Sequence, residues 1–249
     1  MAFYFGEKEG DKLMSKINLR DVSSRAKQWD HPIKGLFKYV ESMKANGCDI
    51  FKLPKKDRES YCVSIVTLAL MNETKEDWWM NMPKIDPPDG LIMTLKEEKP
   101  SSYMGHLREV EIVEHRNKPE EIFETIRDKM VENQYEPNTI LVCLVLVKAI
   151  SVYDFKSLSL ELAKVKSTIK HVFVVFTGVL MTDNIPTKDQ LQNSYTMVQL
   201  LPILTHETLD LKPHLDDFTE RYNKGKESRI IEDDSIYFGT SNKNAIRVM

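Results

Sequence analysis

Two uninterrupted apolar runs constrain the fold of this chain more than any other feature. The first is TILVCLVLV, residues 139–147, and the second is HVFVVFTGVL, residues 171–180. Short apolar runs rich in β-branched residues are typical of strands that are buried on both faces. Between them, residues 154–167 carry apolar side chains at helical spacing. This β-α-β order predicts two neighbouring parallel strands joined by a right-handed crossover.

A pair of strands is also predicted upstream, in IDPPDGLIMTLKEEKPSSYMGHLREVEIVEH, residues 85–115. One strand begins just after Asp89, a polar loop covers residues 96–105, and an acid-bearing strand follows. Side chains alternate between the two faces of a strand, so Glu109 and Glu111 share a face. Pairing of the two strands predicts that Asp89 lies close to Glu109 or Glu111.

Helices are predicted before, between and after these strands from apolar spacing and from their start and stop residues. The complete pattern predicts an α/β fold, with a central mixed β-sheet flanked by helices. We divide the single domain into a helical N-terminal part, a core and a C-terminal extension, at residues 1–83, 84–180 and 181–249. The predicted helices are residues 32–46, 57–71, 117–132, 154–167 and 215–222; residues 190–201 are strand or helix, and 235–238 are a strand.

The net charge of −3 excludes a polycation that coats nucleic acid without preference. The charge is unevenly distributed, because residues 1–60 hold 13 Lys or Arg against 9 Asp or Glu, and the rest of the chain is acidic. A basic part beside an acidic site suits a polyanion held against a metal centre. A solvated helical surface explains the same charges equally well.

The chain has 3 Cys and none of them has metal-binding spacing. Cys62 and Cys143 lie in apolar runs and are predicted core residues, which favours a reducing compartment such as the cytoplasm. The start of the chain becomes charged too early for a signal peptide. The apolar run at residues 139–147 is too short to span a bilayer, so no membrane partner is expected.

Clustered carboxylates such as Asp89, Glu109 and Glu111 repel one another unless a cation neutralises them. Mg²⁺ suits such a group, because it binds one or two carboxylates and keeps water and phosphate oxygens as its other ligands. A surface hairpin with solvated acids is the simpler alternative. His106 and His115 flank the acidic strand, but they point to opposite faces, so we expect surface histidines rather than a transition-metal site.

The PPDG that opens one strand, the acid-rich second strand and the α-β-α-β that follows resemble the PD-(D/E)xK nuclease superfamily, which has the restriction-endonuclease-like fold. The resemblance covers residues 84–180. It implies that Asp89 and Glu111 bind Mg²⁺ or Mn²⁺ and that a lysine two residues later assists the attacking water. That position is Val113 here, which cannot take part in proton transfer. In a second register, Glu109 is the metal ligand and Glu111 replaces the lysine.

A third alternative is a lysine from elsewhere in the chain, with Lys96, Lys99 and Lys148 as candidates. Glu59 would be an auxiliary ligand, although an acid near a helix start also complements the helix dipole. Residues 49–58 are predicted to be a basic loop that contacts phosphates; the simpler alternative is a charge run that is only solvated. The basic residues of this segment are Lys52, Lys55, Lys56 and Arg58.

The resemblance implies a metal-dependent deoxyribonuclease, for example a restriction endonuclease or another defence nuclease. A homodimer is also implied, because cutting both strands of DNA calls for two active sites. The missing lysine motivates an alternative function, a non-catalytic module of the same fold that binds nucleic acid or a partner protein. A ligand-sensing α/β domain is the third hypothesis.

Overall fold

The structure is a computed structural model in which the chain forms a mixed β-sheet with helices on both faces. It describes residues 15–47, 49–84, 87–99, 102–132, 135–146, 153–176, 194–232, 235–239 and 246–247. The helices are α1 (Leu19–Arg25), α2 (Pro32–Ala45), α3 (Lys55–Thr74), α4 (Ile122–Glu132), α5 (Phe155–Leu162) and α6 (Lys212–Asn223), with 3-10 turns at Ile50–Lys52 and Pro119–Glu121.

The strands of the described residues belong to one sheet, with the spatial order β12-β11-β10-β2-β3-β4-β5-β6-β7-β8-β9 and β1 paired to β5. They are β1 (Ser15–Ile17), β2 (Gln28–Asp30), β3 (Trp78–Asn81), β4 (Gly90–Lys99), β5 (Ser102–His115), β6 (Ile140–Val145), β7 (His171–Phe176), β8 (Ser194–Leu201), β9 (Thr205–Asp210), β10 (Ser228–Glu232), β11 (Ser235–Gly239) and β12 (Ile246–Arg247).

The centre of the sheet combines antiparallel and parallel pairing. Strands β3, β4 and β5 are antiparallel, with Gly90 opposite Val110 and Leu91 opposite Glu109. Strands β5, β6 and β7 are parallel, with Glu111 opposite Leu141. The predicted β-α-β unit is therefore present as β6, α5 and β7, and the mixed sheet of the predicted α/β fold is confirmed.

Each face of the sheet has its own core. Helices α2, α3 and α6 pack over one face, which we call the α3 face, around Val110 and Ile112. Helices α4 and α5 cover the opposite face, the α4 face, on which Leu141 and Cys143 lie. Helix α1 packs on the same side as α4, over Leu91. Because β6 and β7 are covered on both sides, their sequences are apolar at nearly every position.

Several boundaries differ from those expected. The polar segment 96–105 is mostly strand rather than loop, because β4 and β5 continue as a two-stranded arm whose β4 side chains are exposed. The described part of residues 1–83 also contains three short strands besides helices. The described part of 181–249 supplies strands at both edges of the sheet, through β8–β9 and through β10–β12. The strand predicted at residues 235–238 is present as β11, and the segment 190–201, left open as strand or helix, contains β8. Hydrophobic periodicity did not detect the other polar or short strands.

Cys62 and Cys143 are buried in the two cores, as predicted. No helix among the described residues has the length and apolar character needed to cross a bilayer.

Candidate functional site

Asp89 lies where β4 begins, beside the middle of β5. The ladder between the two strands starts with Gly90 opposite Val110, so the Ile112 amide, two residues further along β5, lies beyond the last pair with β4. The Asp89 Oδ2 atom accepts a 2.8 Å hydrogen bond from the Ile112 amide. The side chain of Asp89 is 7% exposed. This bond fixes the carboxylate at the start of the strand and leaves Oδ1 on the side of Lys55, whose Nζ is 3.9 Å away.

Glu59 is brought to the same place by α3. Its side chain is fully buried, and its carboxylate lies between two lysines of the same helix. The Nζ of Lys55 is 2.9 Å from Glu59 Oε1, and the Nζ of Lys56 is 3.1 Å from Oε2. Lys55 therefore bridges Glu59 and Asp89, so Glu59 is part of the acidic site as well as of the helix.

Glu111 projects from β5 onto the α4 face, where the last turn of α4 covers it. Its side chain is 4% exposed, and its Oε2 is 3.2 Å from the Nζ of Lys129. Lys129 is also 3.7 Å from Glu132 at the rim and lies 5.8 Å from the ring centre of Tyr135. The buried carboxylate of Glu111 therefore has an ammonium group held beside it from the neighbouring helix.

The acids of this site affect one another electrostatically. Burial raises the pKa of Asp89 to about 6; the Ile112 hydrogen bond opposes this rise, and the charges of Glu59 and Glu111 add to it. Burial opposes the charged form of Lys129, but Tyr135 and Glu111 outweigh burial, so the pKa of its ammonium is raised. Asp89 is thus a buried carboxyl with other acids beside it, and the raised pKa of Lys129 keeps its ammonium group positively charged.

Glu109 lies away from these groups. Its Oε1 is 2.9 Å from the Nη1 of Arg25 in α1, and its side chain is 18% exposed. The pair lines a groove of about 520 Å³ that also includes Pro88 and Leu91. The geometry therefore favours the register in which Asp89 and Glu111 act together over the one that uses Glu109 as the ligand.

The four basic residues expected at phosphates are in three different environments. Lys52 is exposed, with its Nζ 3.8 Å from Asp49. Lys55 and Lys56 belong to the acidic site. Arg58 is buried, bonds to the Leu53 carbonyl and lies 2.5 Å from Glu114, so its guanidinium is not presented to a ligand at the surface. The segment is also not a plain loop, because α3 begins at Lys55.

The flanking histidines point to opposite faces, as the strand alternation requires. His106 is partly buried and stacks on Trp78 on the α3 face. His115 is fully buried, with its ring nitrogens 3.0 Å from Thr125 Oγ1 and from the Lys118 carbonyl oxygen. The expectation of surface histidines is wrong for His115, since the first turn of α4 covers it.

Lys129 is the residue of this site that the sequence analysis missed. Lys96 and Lys99 are exposed at the far end of β4, and Lys148 lies outside the described residues. A signal for Lys129 was present. Helix α4 connects two parallel strands, so its last turn returns to the start of β6, which is level with Glu111. A lysine in that turn, on the covered face, is therefore directed at Glu111.

The donor set at this site is compatible with Mg²⁺. Among the described residues, no three His, Cys, Asp or Glu side chains are grouped as a metal-binding cluster. Mg²⁺ does not require such a cluster, because one or two carboxylates with water and phosphate oxygens are sufficient. Asp89 and Glu111 would hold the ion, and the crowding that raises the pKa of Asp89 is the condition that a bound cation relieves.

Comparisons of the chain with protein-family models, with curated proteins and with solved structures find no match.

Proposed function

We propose that this protein is a Mg²⁺- or Mn²⁺-dependent nuclease that hydrolyses DNA phosphodiester bonds. The observation that carries the proposal is the contact of Lys129 with Glu111, 3.2 Å apart, beside Asp89. Lys129 of α4 would take the place of the lysine that is missing at position 113, which is Val113 here. The order β4, β5, α4, β6, α5, β7 is also the order on which the resemblance to the PD-(D/E)xK nuclease superfamily rests.

Each group has a role in this chemistry. Hydrolysis of a phosphodiester needs an activated water and stabilisation of negative charge on the phosphate oxygens. A divalent ion held by Asp89 and Glu111 would supply both. Lys129 positions the attacking water and stabilises developing charge through its ammonium group. Lys55 and Lys56 neutralise Glu59 and offer cations to the phosphate. The homodimer and the cytoplasm remain the expected assembly and compartment.

A second candidate is a non-catalytic module on the same framework that binds nucleic acid or a partner protein. It is favoured by the ion pairs themselves, because Lys55, Lys56 and Lys129 already neutralise the acids without a metal. In that case the cluster would be a structural ion-pair network, and divalent ions would have no effect on the protein.

Cleavage of supercoiled plasmid and of single-stranded DNA with Mn²⁺ tests the nuclease proposal. The variants Asp89→Asn and Lys129→Met are each expected to reduce the rate of DNA cleavage about a hundredfold or more. Glu132→Gln is the matched control, because Glu132 contacts the outer side of Lys129, and it should change the rate by less than about twofold. Glu109→Gln separates the two registers, and this variant should also remain active.

A melting experiment separates the two candidates. If the nuclease proposal holds, Mg²⁺ raises the Tm of the wild type and this shift is lost in Asp89→Asn. If the folded wild type cleaves no DNA and its Tm is unchanged by Mg²⁺ or Mn²⁺, the nuclease proposal is rejected. The non-catalytic module then becomes the working function.

A further inference from the structure

A cavity of about 560 Å³ lies where α2 meets α6, two of the helices that cover the α3 face. Its lining residues on α2 recur at helical spacing, so they share one side of that helix. They are Lys34, Phe37, Lys38 and Glu41. Helix α6 contributes Phe218 and Tyr222, and the turn after α6 contributes Glu227. A cavity of this size can hold a small organic group.

Glu227 brings a buried negative charge to this cavity. The residue is 1% exposed, and neither of its carboxylate oxygens has a hydrogen-bond partner in the described part of the chain. Its backbone is fixed in place, because the Glu227 carbonyl oxygen accepts a 3.0 Å hydrogen bond from the His31 amide at the start of α2. A buried carboxylate without hydrogen bonds or a counter-charge is costly. This position therefore calls for a cation.

The two lysines that line the cavity have carboxylates of their own. The Nζ of Lys34 is 2.6 Å from Asp30 Oδ1, and the Nζ of Lys38 is 3.1 Å from Asp57 Oδ1. Among the residues that the structure describes, no hydrogen bond joins either lysine to the carboxylate of Glu227. Because both ammonium groups already have a counter-charge, the charge of Glu227 is left for a ligand.

Aromatic rings complete the surroundings of Glu227. The ring of Phe37 contacts that of Phe218 edge-on, with 5.4 Å between the centroids, and the ring of Tyr222 is 6.0 Å from that of Phe218. Phe37 and Tyr222 stay 44% and 58% exposed although both are large. Glu41 is exposed one turn after Phe37 and adds negative charge. Aromatic faces attract cations and also pack against methylene groups, so this cavity suits a cation that carries an alkyl chain.

We propose that this cavity, which we call the Glu227 cavity, binds an alkylammonium group. The ammonium group donates hydrogen bonds to the carboxylate of Glu227, and the alkyl chain lies against Phe37, Phe218 and Tyr222. The Glu227 cavity is separate from the acidic site of Asp89, because β10 and β4 are three strand spacings apart in the sheet, about 14 Å.

Thermal melting in butylammonium chloride, compared with sodium chloride at the same ionic strength, tests the proposal. The wild-type Tm should be about 3 °C higher in butylammonium at saturation. Glu227→Gln should lose this difference, and it should melt higher than the wild type in sodium chloride, because an uncompensated buried charge is removed. Glu220→Gln is the matched control, since Glu220 is an exposed acid of α6 paired with Lys224, and it should keep the full difference.

A second pair of variants keeps the test decisive if Glu227→Gln does not fold. Tyr222→Ala removes an exposed ring, and an NMR titration should show that its Kd for butylammonium is about fivefold higher than that of the wild type. Tyr222→Phe keeps the ring and should keep the Kd. Equal Tm values of the wild type in the two salts, or an unchanged Kd in Tyr222→Ala, would overturn the proposal.

Two larger probes distinguish the natural sources of the alkylammonium group. Tighter binding of spermidine than of Nα-acetyl-lysine amide would indicate a free polyamine, and the reverse order would indicate the lysine side chain of a protein. Asp89→Asn should respond to butylammonium like the wild type, and Glu227→Gln should cleave DNA like the wild type. The test is therefore independent of the nuclease proposal.

Discussion

Asp89 and Asp217 show how two carboxyl groups of one chain acquire opposite properties. Burial beside other acids raises the pKa of Asp89 to about 6, whereas His31 and Arg221 hold the pKa of Asp217 at about 2. His31 Nδ1 accepts a hydrogen bond from the Ile33 amide, so its proton is on Nε2, which lies 3.3 Å from Asp217. Burial lowers the pKa of His31 despite this acid, so at neutral pH a neutral imidazole faces Asp217.

Asp217→Asn tests this environment through its pH dependence. The pKa of Asp217 is lower in the folded chain than its ordinary value of 3.8, so its charged form stabilises the fold above about pH 4. That contribution is lost as the pH falls toward 2. We therefore expect the stability difference between wild type and Asp217→Asn to shrink from pH 5 to pH 2 in urea unfolding. Asp216→Asn, at an exposed neighbouring position, should show a smaller pH-dependent difference; equal curves for both variants would contradict the assignment.

Arg58 and Arg116 both bind Glu114, but only Arg58 is buried. The side chain of Arg58 is 7% exposed, whereas that of Arg116 is 44% exposed. Arg58→Met leaves Glu114 with only the exposed Arg116 and removes the partner of the Leu53 carbonyl, so it should lower the free energy of unfolding by about 2 kcal/mol. Arg116→Met should cost about 0.5 kcal/mol, as at other surface ion pairs. Urea unfolding at pH 7 measures both, and equal losses would show that burial is not what makes Arg58 important.

At the scale of elements, helix α3 is positioned against β4 by the absence of a side chain at Gly90. A Cβ atom at Gly90 would lie 2.4 Å from Cγ2 of Val63. The same close approach brings Glu59 of α3 to Asp89, which precedes Gly90. The packing of this helix and the acidic site therefore depend on one contact.

Gly90→Ala should push α3 away from the sheet and destabilise the protein by about 2 kcal/mol, as overpacked core substitutions do. Val63→Ala in the same chain should recover part of the loss, because it removes the methyl groups in the way. A double-mutant cycle by urea unfolding measures the coupling between the two positions. If the two substitutions changed the free energy of unfolding in a strictly additive way, the contact between Gly90 and Val63 would be contradicted.

The longer helices and the buried strands β6 and β7 could be predicted from the sequence, because local apolar spacing determines them, whereas α1 and β3 were not predicted. Helix α2 and strand β6 are found within one or two residues of their expected bounds. The arm of β4 and β5 was not predicted, since its polar side chains show no buried face. The contact between Lys129 and Glu111 also depends on where α4 returns along the sheet, which local spacing does not specify.

On the scale of the whole molecule, segments from both ends of the described chain meet in the same sheet. Strand β10 pairs with β2, and Ile231, which is fully buried, packs with Trp29 and Trp79 beneath α1. Strands β8 and β9 complete the opposite edge beside β7. The segment interpreted from the sequence as an extension therefore contributes to the sheet itself, and pairing over such sequence distances leaves no local signal.

We expect one cooperative unfolding transition because the sheet is continuous. Tryptophan fluorescence reports on Trp29, Trp78 and Trp79, all on β2 and β3, whereas circular dichroism reports on the whole chain. The two urea curves should coincide in midpoint and slope. A fluorescence change that precedes the loss of circular dichroism would mean that the end of the sheet with β2 unfolds by itself.

The pairing of β2 with β10 also has a consequence for synthesis on the ribosome. Asp30 opposes Ser228, so the partner of β2 does not exist until most of the chain has been translated. Until then, the other side of β2 is an open edge near three tryptophans, and unpaired edges of this kind are prone to join other chains. Nascent chains of this protein should therefore depend on chaperones until about residue 230 has left the exit tunnel.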